Sequence, residues 1–166
     1  MQDYTRNEYS IRKISPEDNA QIAKIIRANL EAHSLNISGT AYFDSCLDDL
    51  YSFYKSKDCG GYFVLVDKNN MVVGGIGFDK IDFFPNCAEL QKMYIADSAK
   101  GNGLSYMLIR FIEERMKDSG IKTAYLETHS NLQAAIHVYE KSGYYKIERP
   151  DEVGHGAMDL FYKKEL

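Results

Sequence analysis

Ala88-Glu89-Leu90-Gln91-Lys92-Met93-Tyr94-Ile95 runs through Ala96-Asp97-Ser98-Ala99 into Lys100-Gly101-Asn102-Gly103-Leu104-Ser105. This stretch decides the fold. Its first part reads as a strand, and simple alternation puts Glu89, Gln91, Met93 and Ile95 on one face. The middle is a small polar loop rich in glycine. Beyond it Leu104, Met107, Leu108, Phe111, Ile112 and Met116 recur at helical spacing, which predicts an amphipathic helix of about 16 residues. Two glycines separated by one residue let the backbone turn sharply and approach a ligand closely. The free N–H groups of the helix then face outward with the positive end of its dipole, an arrangement suited to an anion such as a pyrophosphate. Read alone, the loop is equally a plain turn into a helix. The dinucleotide pattern G-x-G-x-x-G fails because Tyr106 occupies the third glycine position, and no G-x-x-x-x-G-K is present.

Outward from this unit, Tyr9 to Ile14 is a short strand. Ser15-Pro16-Glu17-Asp18 starts a helix over about 16–33, with Ser15 as N-cap and Pro16 in the first turn. Ser34 to Phe43 reads as a loop, and Asp44 caps a second helix over about 45–56. Tyr62 to Val66 and Met71 to Phe78 form a hairpin about Asn69-Asn70, its second arm weakened or bulged by Gly74, Gly75 and Gly77. Thr123 to Thr128 is a strand. Asn131 is the N-cap of a helix through Lys141 that Gly143 closes. Tyr144 to Glu148 and Met158 to Tyr162 are the last two strands. The order β-α-α-β-β-β-α-β-α-β-β implies an α/β mixed sheet, partly parallel, with helices on both faces.

Composition removes several classes. The 166 residues are 45% hydrophobic and 27% charged, as in globular proteins, so disorder and coiled coil are out. The net charge of −4 is not a nucleic-acid footprint, and no partner of that kind is expected. Cys46, Cys59 and Cys87 are odd in number and lack a Cys-x-x-Cys pair, so reduced thiols in a cytoplasmic protein are expected. No signal peptide opens the chain, and no apolar stretch approaches the ~20 residues of a membrane helix. His33, His129, His137 and His155 lack metal-ligand spacing, so no metal is expected; His155, in a Gly-flanked loop, is the one placed to border an acceptor site. No linker divides the chain, and residues 1–166 read as one domain.

A second stretch, Asn131-Leu132-Gln133-Ala134 through Tyr139-Glu140-Lys141-Ser142-Gly143-Tyr144, carries further candidates. Tyr139 near the helix end is either a core aromatic or a proton donor, since a phenol of pKa ~10 is protonated at neutral pH. With this stretch added, the run Ala88–Tyr145 resembles the core of the GNAT superfamily of acetyl-CoA-dependent N-acetyltransferases. The strand ends in Met93-Tyr94-Ile95, the glycine loop follows, and Asn-x-x-Ala and Tyr-Glu-Lys-x-Gly-Tyr come in the expected order. Lys100 stands where Arg or Gln is usual, keeping the charge without the planar fork. Ser105 replaces a Gly or Ala.

The resemblance implies a GNAT-like fold of about seven strands and four helices, with central parallel strands that splay apart. It implies acetyl-CoA as co-substrate between strands 88–95 and 123–129. Backbone groups of Met93, Tyr94 and Ile95 would pair with the pantetheine arm. Lys100, Gly101, Asn102, Gly103, Leu104 and Ser105 would hold the pyrophosphate, and Asn131 would reach the pantetheine. Tyr139 would protonate the departing thiolate. A lysine-like amine of pKa ~10.4 must lose its proton before attack, at a cost of about 4.6 kcal/mol at pH 7. Glu89 is the first candidate base and Glu127 the second; each is equally a salt-bridge or orienting carboxylate. Cys87 as an acyl carrier is a minor alternative. Tyr42, Tyr51 and Tyr54 with Asp48 and Asp49 are candidates for an aromatic, acidic acceptor mouth. The expected acceptor is the primary amine of a small molecule. The alternatives are a protein amine or a non-catalytic acyl-CoA sensor, and a homodimer is compatible with the family.

Overall fold

The computed structural model describes residues 5–154 and 156–166. Its strands are β1 (Thr5–Arg6), β2 (Tyr9–Lys13), β3 (Gly60–Val66), β4 (Val72–Ile81), β5 (Cys87–Ile95), β6 (Thr123–Thr128), β7 (Tyr145–Ile147) and β8 (Leu160–Glu165). Its helices are α1 (Asn19–Ala32), α2 (Leu50–Lys55), α3 (Leu104–Asp118) and α4 (Gln133–Lys141). The strands form one sheet in the order β1-β2-β3-β4-β5-β6-β8-β7. The expected sheet of about seven strands thus has an eighth, the two-residue β1 against β2. Only β5 and β6 run parallel; the other pairs are antiparallel. The α3 and α4 side chains pack on one face, with Leu104, Leu108, Ile112 and Tyr139 in that core. On the other face α1 and α2 bury Ile22, Ile26, Leu30 and Leu50.

Local starts differ from simple capping. Pro16–Asp18 is a 3-10 turn ahead of α1. Ser15 is the N-cap of that turn, as expected, and forms a capping box with Asp18, whose carboxylate accepts from the Ser15 backbone N–H at 2.8 Å. Asp18 is buried and held by the Arg12 guanidinium at 2.7 and 2.9 Å. The expected helix over 45–56 shrinks to α2, preceded by 3-10 turns at Ala41–Phe43 and Leu47–Asp49. Asp49, not Asp44, caps α2 through the Ser52 N–H, while Asp44 pairs with Lys92 at 2.9 Å.

The central feature is a bulge in β5. Lys92 takes φ +50°, and the register to β4 shifts between Gly75 and Gly77. Glu89 and Gln91 therefore remain on the α1/α2 face, but Met93 and Ile95 turn to the α3 side, against strict alternation. Tyr62 of β3 is fully buried, and its hydroxyl donates to the Lys92 carbonyl at 2.8 Å. Its ring needs the bare backbone of Gly75 and Gly77: a Cβ would lie 2.7 Å from Cε1 at Gly75 and 2.6 Å from Cδ2 at Gly77.

The parallel pair opens just ahead of the bulge. β5 and β6 pair only over Cys87–Glu89 against Thr123–Tyr125. Thereafter β5 stays on β4 through Ile95, and β6 stays on β8 through Thr128. The Gly77→Ala variant should lose about 1–3 kcal/mol of stability, the range for overpacking a closed core, read as a lower midpoint in urea unfolding.

Candidate active site

The gap between the diverging strands opens into a cavity of about 430 Å³. One wall is the free edge of β5, presenting Met93, Tyr94 and Ile95. The carbonyl of Ile95 is already used, accepting from Asn29 Nδ2 at 3.1 Å. The glycine loop forms the end wall through Lys100, Gly101, Gly103, Leu104 and Ser105. Gly101 and Gly103 have φ of +84° and +67°, the left-handed region that favours glycine. Nothing lies within 4 Å of a Cβ built on Gly101, so that backbone faces open space. Among the described residues no side chain caps the N-terminus of α3, so its first-turn N–H groups stay available to an anion. The Lys100 ammonium pairs with Asp97 at 2.6 Å. The side chain of Asn102 turns inward and donates to the Ala99 carbonyl at 3.0 Å, bracing the loop without lining the cavity.

The third wall is α4 with the end of β6, including Tyr139, Leu132, Ala135 and Glu127. Tyr139 is 6% exposed, and its hydroxyl has no hydrogen-bond partner among the described residues. Burial lifts its phenol above the usual range, with the nearby Tyr94 adding to the effect, so it stays protonated and able to donate. Asn131 is not the N-cap of α4, which begins without a side-chain cap. Its amide instead donates to the His33 carbonyl at 3.0 Å and ties the end of α1 to the β6–α4 loop. Asn131 accordingly does not line the cavity.

Glu89 also lies outside the lining, but Glu127 is part of it. The two carboxyls face each other across the opening strands and share a hydrogen bond. Burial, the Glu89 charge and that bond raise Glu127 to about 7, while Arg149 pulls the other way. Burial also raises Glu89, against the opposing hydrogen bonds from Gln91 and Glu127. Cys87 is fully buried and its thiol is pushed up to about 11, so it is a poor nucleophile and does not suit an acyl carrier. Asp48 pairs with Arg27 at 2.7 Å, Tyr42 donates to Glu31, and none of the five mouth candidates lines the cavity. His155 lies outside the described residues. Among the described residues no cluster could hold a metal ion, and no helix is long and apolar enough to cross a membrane.

Asn29 and His33 of α1 line the cavity as well, though sequence reasoning passed them over. A signal was there. Both continue the core-facing row of Ile22 and Ile26 at helical spacing, polar where that row should be apolar.

Residues 24–144 match the model of the acetyltransferase (GNAT) family. The chain belongs to that family. Over 140 residues it is 33% identical to the uncharacterized N-acetyltransferase YjgM of Escherichia coli strain K12, covering 83% of each protein. A GNAT-family acetyltransferase of Staphylococcus aureus MU50 superposes with a TM-score of 0.82 at 18% identity, over 95% of this chain and 98% of that one. The PaiA N-acetyltransferase of Thermoplasma acidophilum, solved in complex with coenzyme A, gives 0.73 at 20% identity, over 95% and 99%. The protein is thus an acyltransferase of the N-acetyltransferase kind with the open, mixed GNAT sheet.

The carboxyl pair links stability to pH. A Glu127 carboxyl raised to about 7 in the fold favours folding at pH below its unfolded value near 4.5, and that contribution disappears as pH rises through 7. Solvent screening at this part-exposed group reduces the effect to about 1–2 kcal/mol. Urea unfolding of wild type and Glu127→Gln should therefore diverge between pH 5 and pH 8, with wild type losing ground as pH rises.

Proposed function

We propose that the protein transfers an acetyl group from acetyl-CoA to the primary amine of a small molecule, by direct attack in a ternary complex. One observation carries this reading. A single cavity joins the free edge of β5, the uncapped start of α3 behind two left-handed glycines, and the protonated Tyr139. The fit to acetyl-CoA rests on those parts. The N–H groups at Gly101, Gly103, Leu104 and Ser105 suit the pyrophosphate, with Lys100 and Asn102 shaping the loop around them. The β5 edge that β6 leaves free along Met93, Tyr94 and Ile95 suits the pantetheine amides, less the Ile95 carbonyl held by Asn29. Asn131 acts in this reading by holding α1 over the cavity rather than by touching the co-substrate.

Acetyl-CoA supplies the activated acyl group. Tyr139 gives its proton to the sulfur as the carbon–sulfur bond breaks, and regains one from solvent. The amine proton passes to one carboxyl of the Glu89 and Glu127 pair. The cavity is a half-open space of about 430 Å³, a size that suits a small acceptor beside the acyl end better than a docked protein chain. The three cysteines are free thiols, which suits a reducing compartment such as the cytoplasm.

Saturating acetyl-CoA, at about 100 times Kd, should stabilise the fold by about 2.7 kcal/mol, visible as a raised melting midpoint that an adenine nucleotide does not reproduce. Tyr139→Phe should lower turnover of an amine acceptor by roughly 10²–10⁴-fold while leaving that thermal shift intact. Equal turnover by the two proteins would remove Tyr139 from the mechanism.

A further inference from the structure

On the α1/α2 face of the sheet a line of hydrogen bonds leads from the core to the cavity. The Tyr54 hydroxyl, 3% exposed and packed against Tyr62, donates to Gln91 Oε1 at 2.7 Å. That bond points the amide oxygen of Gln91 at α2 and its NH2 at Glu89, where Nε2 donates to Oε2 at 3.0 Å. Glu89 Oε2 is thereby held as an acceptor of the Gln91 amide, a bond that favours the ionised carboxylate. Between the two carboxyls the interaction lowers Glu89 and raises Glu127, the direction that favours the proton on Glu127. Of the two carboxyls, only Glu127 lines the cavity. The register explains the asymmetry. Glu89 pairs with Tyr125 at the last rung of the parallel ladder, and Glu127 stands two residues further on, where the strands have parted.

We propose that Glu127, rather than Glu89, takes the proton from the acceptor amine, and that Gln91 and Tyr54 are positioning residues holding Glu89 as its anionic partner. The inference rests on the acetyl-transfer reading above. In the base form both carboxyls are ionised. As the amine nitrogen bonds to the acyl carbon, its N–H bond breaks and an O–H bond forms on Glu127. This restores the pair to its singly protonated state, with Glu89 accepting. The carbon–sulfur bond breaks, and the sulfur takes the proton of Tyr139.

The surroundings favour one proton on the pair. Lys92 of β5 is neutralised by Asp44, and Asp79 of β4 by Lys57, each at 2.9 Å. Arg149, beyond β7, stacks over Phe161 and spends two of its N–H groups on the Gly154 and Met158 carbonyls. Lys163 of β8 lies over the Phe84 ring. Tyr125 of β6, Tyr54 of α2 and Cys87 of β5 all have acid groups raised by burial, so they stay neutral. Arg149 is thus the principal cation opposing the proton on Glu127, and a group titrating near 7 is well matched to proton transfer at neutral pH.

The test is the pH profile of kcat/KM for acetylation of a primary amine found in an acceptor screen, run on wild type and three variants. Wild-type activity should rise with pH through about 7. Glu127→Gln should lose roughly 10²–10⁴-fold and the acidic limb with it. Glu89→Gln should retain most of its high-pH activity, with the limb moved to lower pH because the anionic neighbour is gone. Gln91→Leu should move the limb to higher pH with the high-pH plateau retained, a change that a merely structural role would not produce. The reverse pattern, an inert Glu89→Gln beside an active Glu127→Gln, overturns the proposal. Should no amine be acetylated while acetyl-CoA still binds, the acetyl-transfer reading fails, and carboxyl carbon-13 titration of the same proteins decides the placement of the proton. Titration of Glu127 near 7, shifted down in Glu89→Gln and up in Gln91→Leu, supports it; titration of Glu127 in the ordinary carboxylate range overturns it.

Discussion

The contact on which this structure depends is Tyr62 lying on the bare backbone of Gly75 and Gly77. No other residue type at those two β4 positions leaves room for the ring. With the ring in place, its hydroxyl reaches the Lys92 carbonyl and satisfies a backbone acceptor that the sheet ladder has dropped. The bulge at Lys92 is thereby held, and the end of β5 is redirected along β4. β6 keeps its full pairing with β8. Two strands that begin as parallel neighbours are drawn to opposite halves of the sheet, and the space between them is the cavity.

That opening has an electrostatic consequence. A carboxyl beside an intact ladder is screened by its neighbours, but at the parting of two strands it faces a half-wet cavity with another carboxyl close by. Glu89 and Glu127 cannot both ionise cheaply in such a place. Elsewhere on the same face acids and bases are matched, as in Lys92 with Asp44 and Lys57 with Asp79. The carboxyl pair is where matching is withheld, beside the wall that carries Tyr139. The other end of the cavity has the opposite character: an uncapped helix start and glycines of positive φ that offer N–H groups. One cavity therefore joins an anion-binding end to a proton-handling end.

Much of this was legible along the chain. The strand, glycine loop and helix from Ala88 to Met116 form in the order read from the chain, and Thr123–Thr128 matches its expected bounds. Met93, Tyr94, Ile95, the loop glycines and Tyr139 do meet at one cavity. What failed has local physical reasons. Alternation along β5 breaks at Lys92, because a bulge inserts one residue and reverses the facing of all that follow. Asn131 resembles an N-cap but finds a stronger use in the His33 carbonyl, about a hundred residues away in sequence. Asp44 resembles a cap but meets Lys92 instead, and helix formation waits for Asp49.

The sequence by itself determined the element order, the glycine loop and the presence of a phenol and two carboxylates on the right elements. Periodicity and turn chemistry are properties of short segments, and short segments carry them unaided. Only the tertiary structure decided which carboxyl meets the cavity and which supports it. That choice turns on where the β5–β6 ladder ends, at Glu89 and Tyr125, and on the bulge at Lys92 beyond it, which a tyrosine from β3 and glycines from β4 hold. A constraint spread over three strands leaves no mark in any one of them.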